Sequence, residues 1–183
     1  MRLALFAALP AALLASCAGI SEMSATPADP ATARADLVDS AGASVGTAEF
    51  SRAPGGGTLI RVRATGLTPG EHGIHIHQNP VCEAPAFTSA GPHLERPGRD
   101  DPHGLTQPGG GEAGDLPNLV ADARGAATAA LVSQAVAPGP GAAAPSVIGR
   151  AIVIHAQRDD QRTQPIGGSG DRVACGVIQA AGG

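Results

Sequence analysis

The chain has 183 residues, a formal net charge of −4 and only 15% charged residues. That length suits one domain with a real core, and the charge supplies no basic stripe for nucleic acid. With no Trp, no Tyr and three Phe, there is little from which to build a platform for stacking bases or sugars.

The beginning of the chain reads as an export signal. Arg2 is a minimal positive start, and Leu3 to Leu14 is an apolar run too short for the roughly 20 residues that cross a bilayer. It ends in Leu14-Ala15-Ser16-Cys17, which resembles the lipobox of bacterial lipoproteins. In that family the chain is cut before the cysteine, which is then acylated. Residues 1–16 are therefore expected to be a signal peptide, and 17–33 a flexible tether from a lipidated Cys17. Residues 34–183 are left as the functional domain. Ala18, where Asp would favour the inner membrane, points to the outer membrane by the same family's sorting habit. The expected location is the periplasm, with the membrane touched only through a lipid anchor. The bland alternative is an ordinary signal peptide with an incidental cysteine.

If Cys17 is lipidated, Cys82 and Cys175 remain as one pair in an oxidising setting. A bridge between them would close a loop of roughly 90 residues, worth about 4–5 kcal/mol at most in the chain-entropy model. The other reading, two metal-binding thiols, lacks a CxxC arrangement to support it.

The rest reads as short strands parted by turns, in which the 26 Gly and 16 Pro bunch. Ala35 to Asp39 and Val45 to Arg52 form a hairpin around Ser40 to Ser44. Thr58 to Leu67 alternates, with Ile60, Val62 and Ala64 on one face and Arg61 and Arg63 on the other. The turn Thr68-Pro69-Gly70-Glu71 leads into His72-Gly73-Ile74-His75-Ile76-His77. On an extended backbone His75 and His77 share one face, while Ile74 and Ile76 share the other. Two imidazoles projecting together from a rigid strand suit copper or zinc. His93, His103, Asp115 and His155 are further candidate ligands, and His72 reads as structural. From Gln78 to Leu116 no strand or helix pattern is found, and loops of that length are disordered or functional. Strand character returns at Leu119 to Ala123, Ala127 to Ser133, Ala151 to His155 and Val173 to Gln179. A loop from Gln134 to Ser146 and a polar one from Gln157 to Arg172 lie between them. Eight strands without helical periodicity give an all-β antiparallel sandwich or flattened barrel.

One ordered set of motifs is similar to the copper/zinc superoxide dismutases, and in particular to their bacterial exported branch. It runs HGIHIH, Cys82, TSAGPH to His93, His103-Gly104, GDLPNL at Asp115, IVIHA at His155 and GSGDRVACGV. The resemblance covers about residue 34 to the C-terminus. It implies an eight-stranded Greek-key β-barrel and conversion of superoxide to dioxygen and hydrogen peroxide at a copper that is alternately reduced and oxidised. It further implies His75, His77 and His155 on copper, and His93 bridging copper to a neighbouring structural zinc. His103 and Asp115 match zinc ligands, and Cys82 and Cys175 match the family disulfide. Arg172 matches the arginine that attracts and orients the anionic substrate. Asp159 matches the carboxylate that holds ligand histidines in place, and His93 and Arg172 together match the catalytic pair.

The chain departs from the family at Glu112. There, three residues before the aspartate, the family usually carries a third zinc-only ligand, a histidine. A glutamate can bind zinc through one oxygen, or it can leave a degraded site and a copper-only dismutase. The span from His93 to His103 is also about two residues longer than the family pattern, through Arg96 to Pro102. A reading of another class is a non-catalytic lipoprotein that stores periplasmic copper or zinc. The expected partners are superoxide and no nucleic acid, and the protein is expected to be a monomer or a homodimer.

Overall fold

A computed structural model describes residues 31–182. The proposed signal peptide, Cys17 and nearly all of the tether lie outside these residues. Nine strands form one antiparallel sheet: β1 (Ala33–Asp39), β2 (Ser44–Arg52), β3 (Thr58–Ala64), β4 (Gly70–His72), β5 (Ile74–His77), β6 (Leu119–Ala121), β7 (Ala127–Ser133), β8 (Arg150–His155) and β9 (Arg172–Ala180). The spatial order is β4-β6-β7-β3-β2-β1-β9-β8-β5. The strands at its two ends, β4 and β5, are consecutive in the chain. The sheet thus curls into a nearly closed barrel with Greek-key connections.

The ninth strand arises at Gly73. The His72–His77 run, read from sequence as one strand, changes partner there: β4 pairs with β6 and β5 pairs with β8. Gly73 donates its N–H to Gln157 O at 2.7 Å and accepts from His155 N–H at 2.8 Å. A Cβ at this point would come within 2.8 Å of the Ser169 Cβ. Only glycine lets the chain cross from one edge to the other this close to its neighbours. Two sequence-read strands are also longer than those observed. β3 stops at Ala64 rather than Leu67, and β6 at Ala121 rather than Ala123. In each case the next residues already belong to a turn that bonds to itself or its neighbour, as Thr65 N–H does to Val45 O.

The inner face is the core expected from the alternation. Leu37, Phe50, Ile60, Val62, Ile74, Ile76, Ile152, Ile154 and Ile178 are all fully buried within one cluster. On the outer face of β8 and β9 lies a second, smaller cluster. Ala151, Val153 and Cys175 are covered there by Phe87 and Ala90 from the β5–β6 loop, with Cys82 packed beside them. A disulfide joins Cys82 to Cys175 across 93 positions, with Cα atoms 5.7 Å apart. It ties that loop to the barrel wall. The long loop holds little regular structure beyond a 3₁₀ turn at Thr88–Ala90.

Candidate metal centre

β5 is an edge strand, and its free edge is filled by two stretches of the long loop. Ile76 N–H donates to Gly114 O at 2.9 Å, and Leu94 N–H donates to Ile76 O at 2.8 Å. These bonds set His93 opposite His77 and Asp115 opposite His75 as isolated antiparallel bridges. A Cβ on Gly114 would lie only 2.1 Å from Ile76 O, so this approach requires glycine. From the other side, β8 sets Val153 opposite His75 and Ala151 opposite His77. The register of β8 on β9 shifts between Ile154 and His155, and His155 comes to lie opposite Arg172. Such an irregularity re-aims a side chain at the end of a strand. All four histidines sit on the outer wall yet are buried, because the loops roof them.

The hydrogen bonds of these rings sort their nitrogens into two classes. His75 Nε2 donates to Asp159 Oδ2 at 2.8 Å, His77 Nδ1 to Gly91 O at 2.9 Å, and His155 Nδ1 to Gly170 O at 3.1 Å. The remaining nitrogens of these rings, with His93 Nε2, are buried and have no hydrogen-bond partner. His75, His77, His93 and His155 can each offer one nitrogen such that all lie within 4.8 Å of one another. Ligands on opposite sides of one ion with bonds of about 2.0–2.1 Å stand about 4 Å apart, so these nitrogens can close on a single ion after a small contraction. Burial keeps these rings neutral: it lowers His75 to about 4 and His155 to about 3, and it lowers His77 well below the ordinary range. A neutral imidazole with a free lone pair is what a copper ion binds.

A second cluster adjoins the first. His93 Nδ1 lies 2.7 Å from Glu112 Oε2 and 3.2 Å from Asp115 Oδ1. His103 Nδ1 lies 3.0 and 2.8 Å from the same two oxygens. A tetrahedral zinc with bonds of about 2.0–2.1 Å holds its ligands about 3.3–3.4 Å apart, slightly wider than these contacts. The donor set of two imidazoles and two carboxylates therefore fits zinc after a small opening. His75 also stands near this group. Its nitrogens are otherwise committed, however, one to Asp159 and one facing the first pocket. Glu112 is the better fourth donor, because one of its oxygens touches both His93 and His103.

The electrostatics here are opposite to those of the first pocket. Burial works against protonation of His103, yet bonds to Asp115, Asp159 and Glu112 outweigh it and push its pKa up to about 11. His93 is raised in the same way by Asp115 and Glu112. Burial would raise Asp115 and Glu112, but the facing histidines hold both below the usual carboxylate range. Without metal, protons fill this pocket.

Asp159 links the clusters: its Oδ2 accepts from His75 and its Oδ1 from His103 Nε2–H at 3.1 Å. Arg172 is fixed by two main-chain carbonyls, donating to Phe87 O and Gly91 O at 2.7 Å each. It lines an open cleft of about 520 Å³ together with Ser40, Thr88 and Asp171. No histidine lines that cleft, and its charged groups are Arg172 and Asp171. His72 stands apart from both clusters, with its ring between His155 O at 2.7 Å and Thr68 O at 2.8 Å. Several partners were not foreseen from sequence. The carbonyls of Gly91 and Gly170 carry no side-chain signal, and neither Gln161 nor Gln164 stands out in a polar loop. Gln164 brackets His103, accepting from its N–H and donating to its carbonyl at 2.9 Å each.

A Greek-key barrel with four unpaired imidazole nitrogens on its wall, beside a carboxylate-rich cluster sharing one histidine, defines a protein built for two adjoining metal ions. Comparison with known proteins narrows the class. The family model described as copper/zinc superoxide dismutase matches residues 44–178, and the chain belongs to that family. It is 43% identical over 141 residues to a superoxide dismutase [Cu-Zn] of Caulobacter vibrioides, covering 75% of this chain and 80% of the relative. A superoxide dismutase [Cu-Zn] of Deinococcus radiodurans is 40% identical over 162 residues, with coverage of 81% and 85%. Among solved structures, the Cu/Zn superoxide dismutase from Brucella abortus superposes with a TM-score of 0.66 at 31% identity, covering 80% and 98% of the two chains. A mutant SOD-like protein from Bacillus subtilis gives a TM-score of 0.74 at 34% identity, covering 80% and 97%.

Proposed function

We propose that this chain disproportionates superoxide, and that His75, His77, His93 and His155 would hold the copper. Zinc would be held by His93, His103, Asp115 and Glu112. The observation that carries this reading is the set of four buried ring nitrogens without partners, next to a guanidinium fixed by carbonyls. Copper, when bound, supplies the one-electron exchange that oxidises one superoxide to dioxygen and reduces a second to peroxide, while zinc supplies fixed positive charge.

The protein's own groups do the rest. Arg172 carries a permanent charge even though burial lowers its pKa. Its two bonds to Phe87 O and Gly91 O leave it little freedom, so it attracts and aligns an anion arriving through the cleft. A local positive charge in a net negative protein focuses anionic substrate on one point. Gly91 O binds both Arg172 and His77, which couples the anion-binding group to a copper ligand. His93 is the one of these four rings whose other nitrogen faces Glu112 and Asp115, so it stays anchored there while Nε2 takes up and returns a proton. Phe87 and Ala90, beside the disulfide, cover Ala151, Val153 and Cys175 on the strands next to the histidines.

The same reading extends to the chain's first segment. Residues 1–16 are a signal peptide, Cys17 carries a lipid, and 17–33 tether the domain to the outer membrane on its periplasmic side. The Leu14-Ala15-Ser16-Cys17 motif supports this, as does the disulfide, which needs an oxidising compartment. A Cys17→Ser protein recovered in the soluble periplasmic fraction is the expected result. Retention of that variant in the membrane fraction would contradict the anchor.

Superoxide consumption by the copper- and zinc-loaded protein, measured beside Arg172→Ala, tests the enzymatic reading. The variant should lose roughly tenfold or more in rate, the scale that steering supplies, while keeping its copper. Two proteins equally inert with copper tightly bound would mark a metal-storage protein instead.

A further inference from the structure

Gln161 holds Asp159 from both sides. Its φ of 62° lies in the left-handed region, which non-glycine residues adopt only at a steric cost. That backbone turn lets its main-chain N–H donate to Asp159 Oδ1 at 2.6 Å while its side-chain Nε2 donates to Oδ2 at 2.8 Å. The same two oxygens accept the ring N–H of His103 at 3.1 Å and of His75 at 2.8 Å. The orientation of the amide is fixed by its other partners. Nε2 also faces Leu116 O at 3.3 Å, and Oε1 accepts from Leu105 N–H at 2.9 Å. Turning the amide over would set oxygen against a carboxylate and N–H against N–H. Gln161 O further accepts from Thr106 Oγ1 at 2.9 Å, and a Cβ on Gly104 would meet it at 2.1 Å. One residue thus grips both Asp159 and the turn that follows His103.

We propose that Gln161 is a positioning residue for both metal pockets, occupying one acceptor site on each oxygen of Asp159. It thereby sets how strongly that carboxylate pulls on the ring protons of His75 and His103. This rests on the reading of His75 as a copper ligand and His103 as a zinc ligand. A carboxylate offers about four acceptor sites, and here two go to ligand histidines and two to Gln161. When the side-chain donor is removed, Oδ2 is left to His75 alone, and the carboxylate gains freedom to rotate away from His103. Partners that orient a ligand in this way typically account for about 10–100-fold in metal affinity.

Two variants separate this role from that of a loop clamp. Gln161→Glu keeps the length and can still accept from Leu105 N–H, but it loses the donor to Asp159. Gln161→Gly loses the whole side chain while remaining at ease in the left-handed backbone. Zinc affinity, read by chelator competition, should fall roughly tenfold in both. In protein loaded with zinc and Cu(I), the His75 Nε2–H proton resonance should move downfield in both. If only the glycine variant weakens zinc, or if the resonance stays put, the proposal is overturned. Should the glutamate variant fail to fold, the resonance in the glycine variant decides alone. Wild-type protein that binds neither ion would defeat the ligand reading itself. Wild-type protein binding both, with unchanged variants, defeats only the role of Gln161.

Discussion

The two metal pockets share one histidine and differ in nearly everything else. The first takes His75, His77 and His155 from β5 and β8, so the barrel itself positions three of its four rings. These rings are neutral, and their free nitrogens are buried and close to one another. The second takes His103, Glu112 and Asp115 from the long loop, where Asp115 is held by a single bridge to β5 and His103 and Glu112 belong to no strand. It is assembled mainly from charge: Asp115 and Glu112 raise the pKa of both His93 and His103, and Asp159 adds to the rise at His103. A pocket on strands is ready before its ion arrives. A pocket on loops is closed by protons that the ion must displace, and so its affinity depends on pH.

Changes aimed at one pocket should therefore leave the other largely intact. The largest effect is expected for His77→Ala. This should reduce copper affinity beyond the roughly 10–100-fold typical of losing an outer partner, and with it the activity, while zinc uptake is retained. Parallel copper and zinc titrations check it, and loss of both ions together would mean that the pockets are one unit. Next comes Glu112→Ala, expected to weaken zinc by roughly 10–100-fold and copper little. Glu112→His should restore zinc binding. Unchanged zinc affinity in the alanine variant would remove Glu112 from the site.

Cys175→Ser should lower stability by up to about 4–5 kcal/mol in urea unfolding, since the bridge closes a very long loop. Zinc affinity should suffer more than copper affinity, because the freed loop carries the zinc ligands.

The smallest effect is one of pH on the metal-free protein. His75 at about 4 and His155 at about 3 take up protons more readily in the unfolded chain, where histidine titrates near 6.5. Stability should thus fall as pH drops from about 6.5 toward these values. His103, raised to about 11, contributes stability that is complete below about pH 6.5 and fades as pH climbs toward 11. The two pockets pull in opposite directions, and metal-free protein should be most stable near pH 6–7. Urea midpoints at pH 4.5, 6.5 and 8.5 check this, and a steady rise across all three would contradict it.

The strand-borne pocket was also the more legible one in sequence. Alternation alone set His75 and His77 on one face and Ile74 and Ile76 on the other, and that is the arrangement observed. Periodicity does not reveal that Gly73 breaks this run into two strands, because the cause is a change of partner, from β6 to β8, between segments far apart in the chain. The loop-borne residues have no local period at all. His93, His103 and Asp115 stand out only by residue type, their separate roles and that of Asp159 come from an ordered resemblance, and Glu112 comes from a departure from it. Gly91 and Gly170 act through main-chain carbonyls, and Gln161 through an unusual backbone angle, none of which leaves a mark on the amino-acid pattern.

The central claim is that four imidazole nitrogens, from β5, β8 and the long loop, close on one copper ion. Electron paramagnetic resonance of the Cu(II)-loaded protein counts those nitrogens directly through their hyperfine coupling. Four equatorial nitrogens in the wild type, falling to three in His93→Ala, and a spectrum that changes when zinc is added are expected. Two or fewer nitrogens in the wild type, or a spectrum indifferent to both His93 and zinc, would contradict the claim.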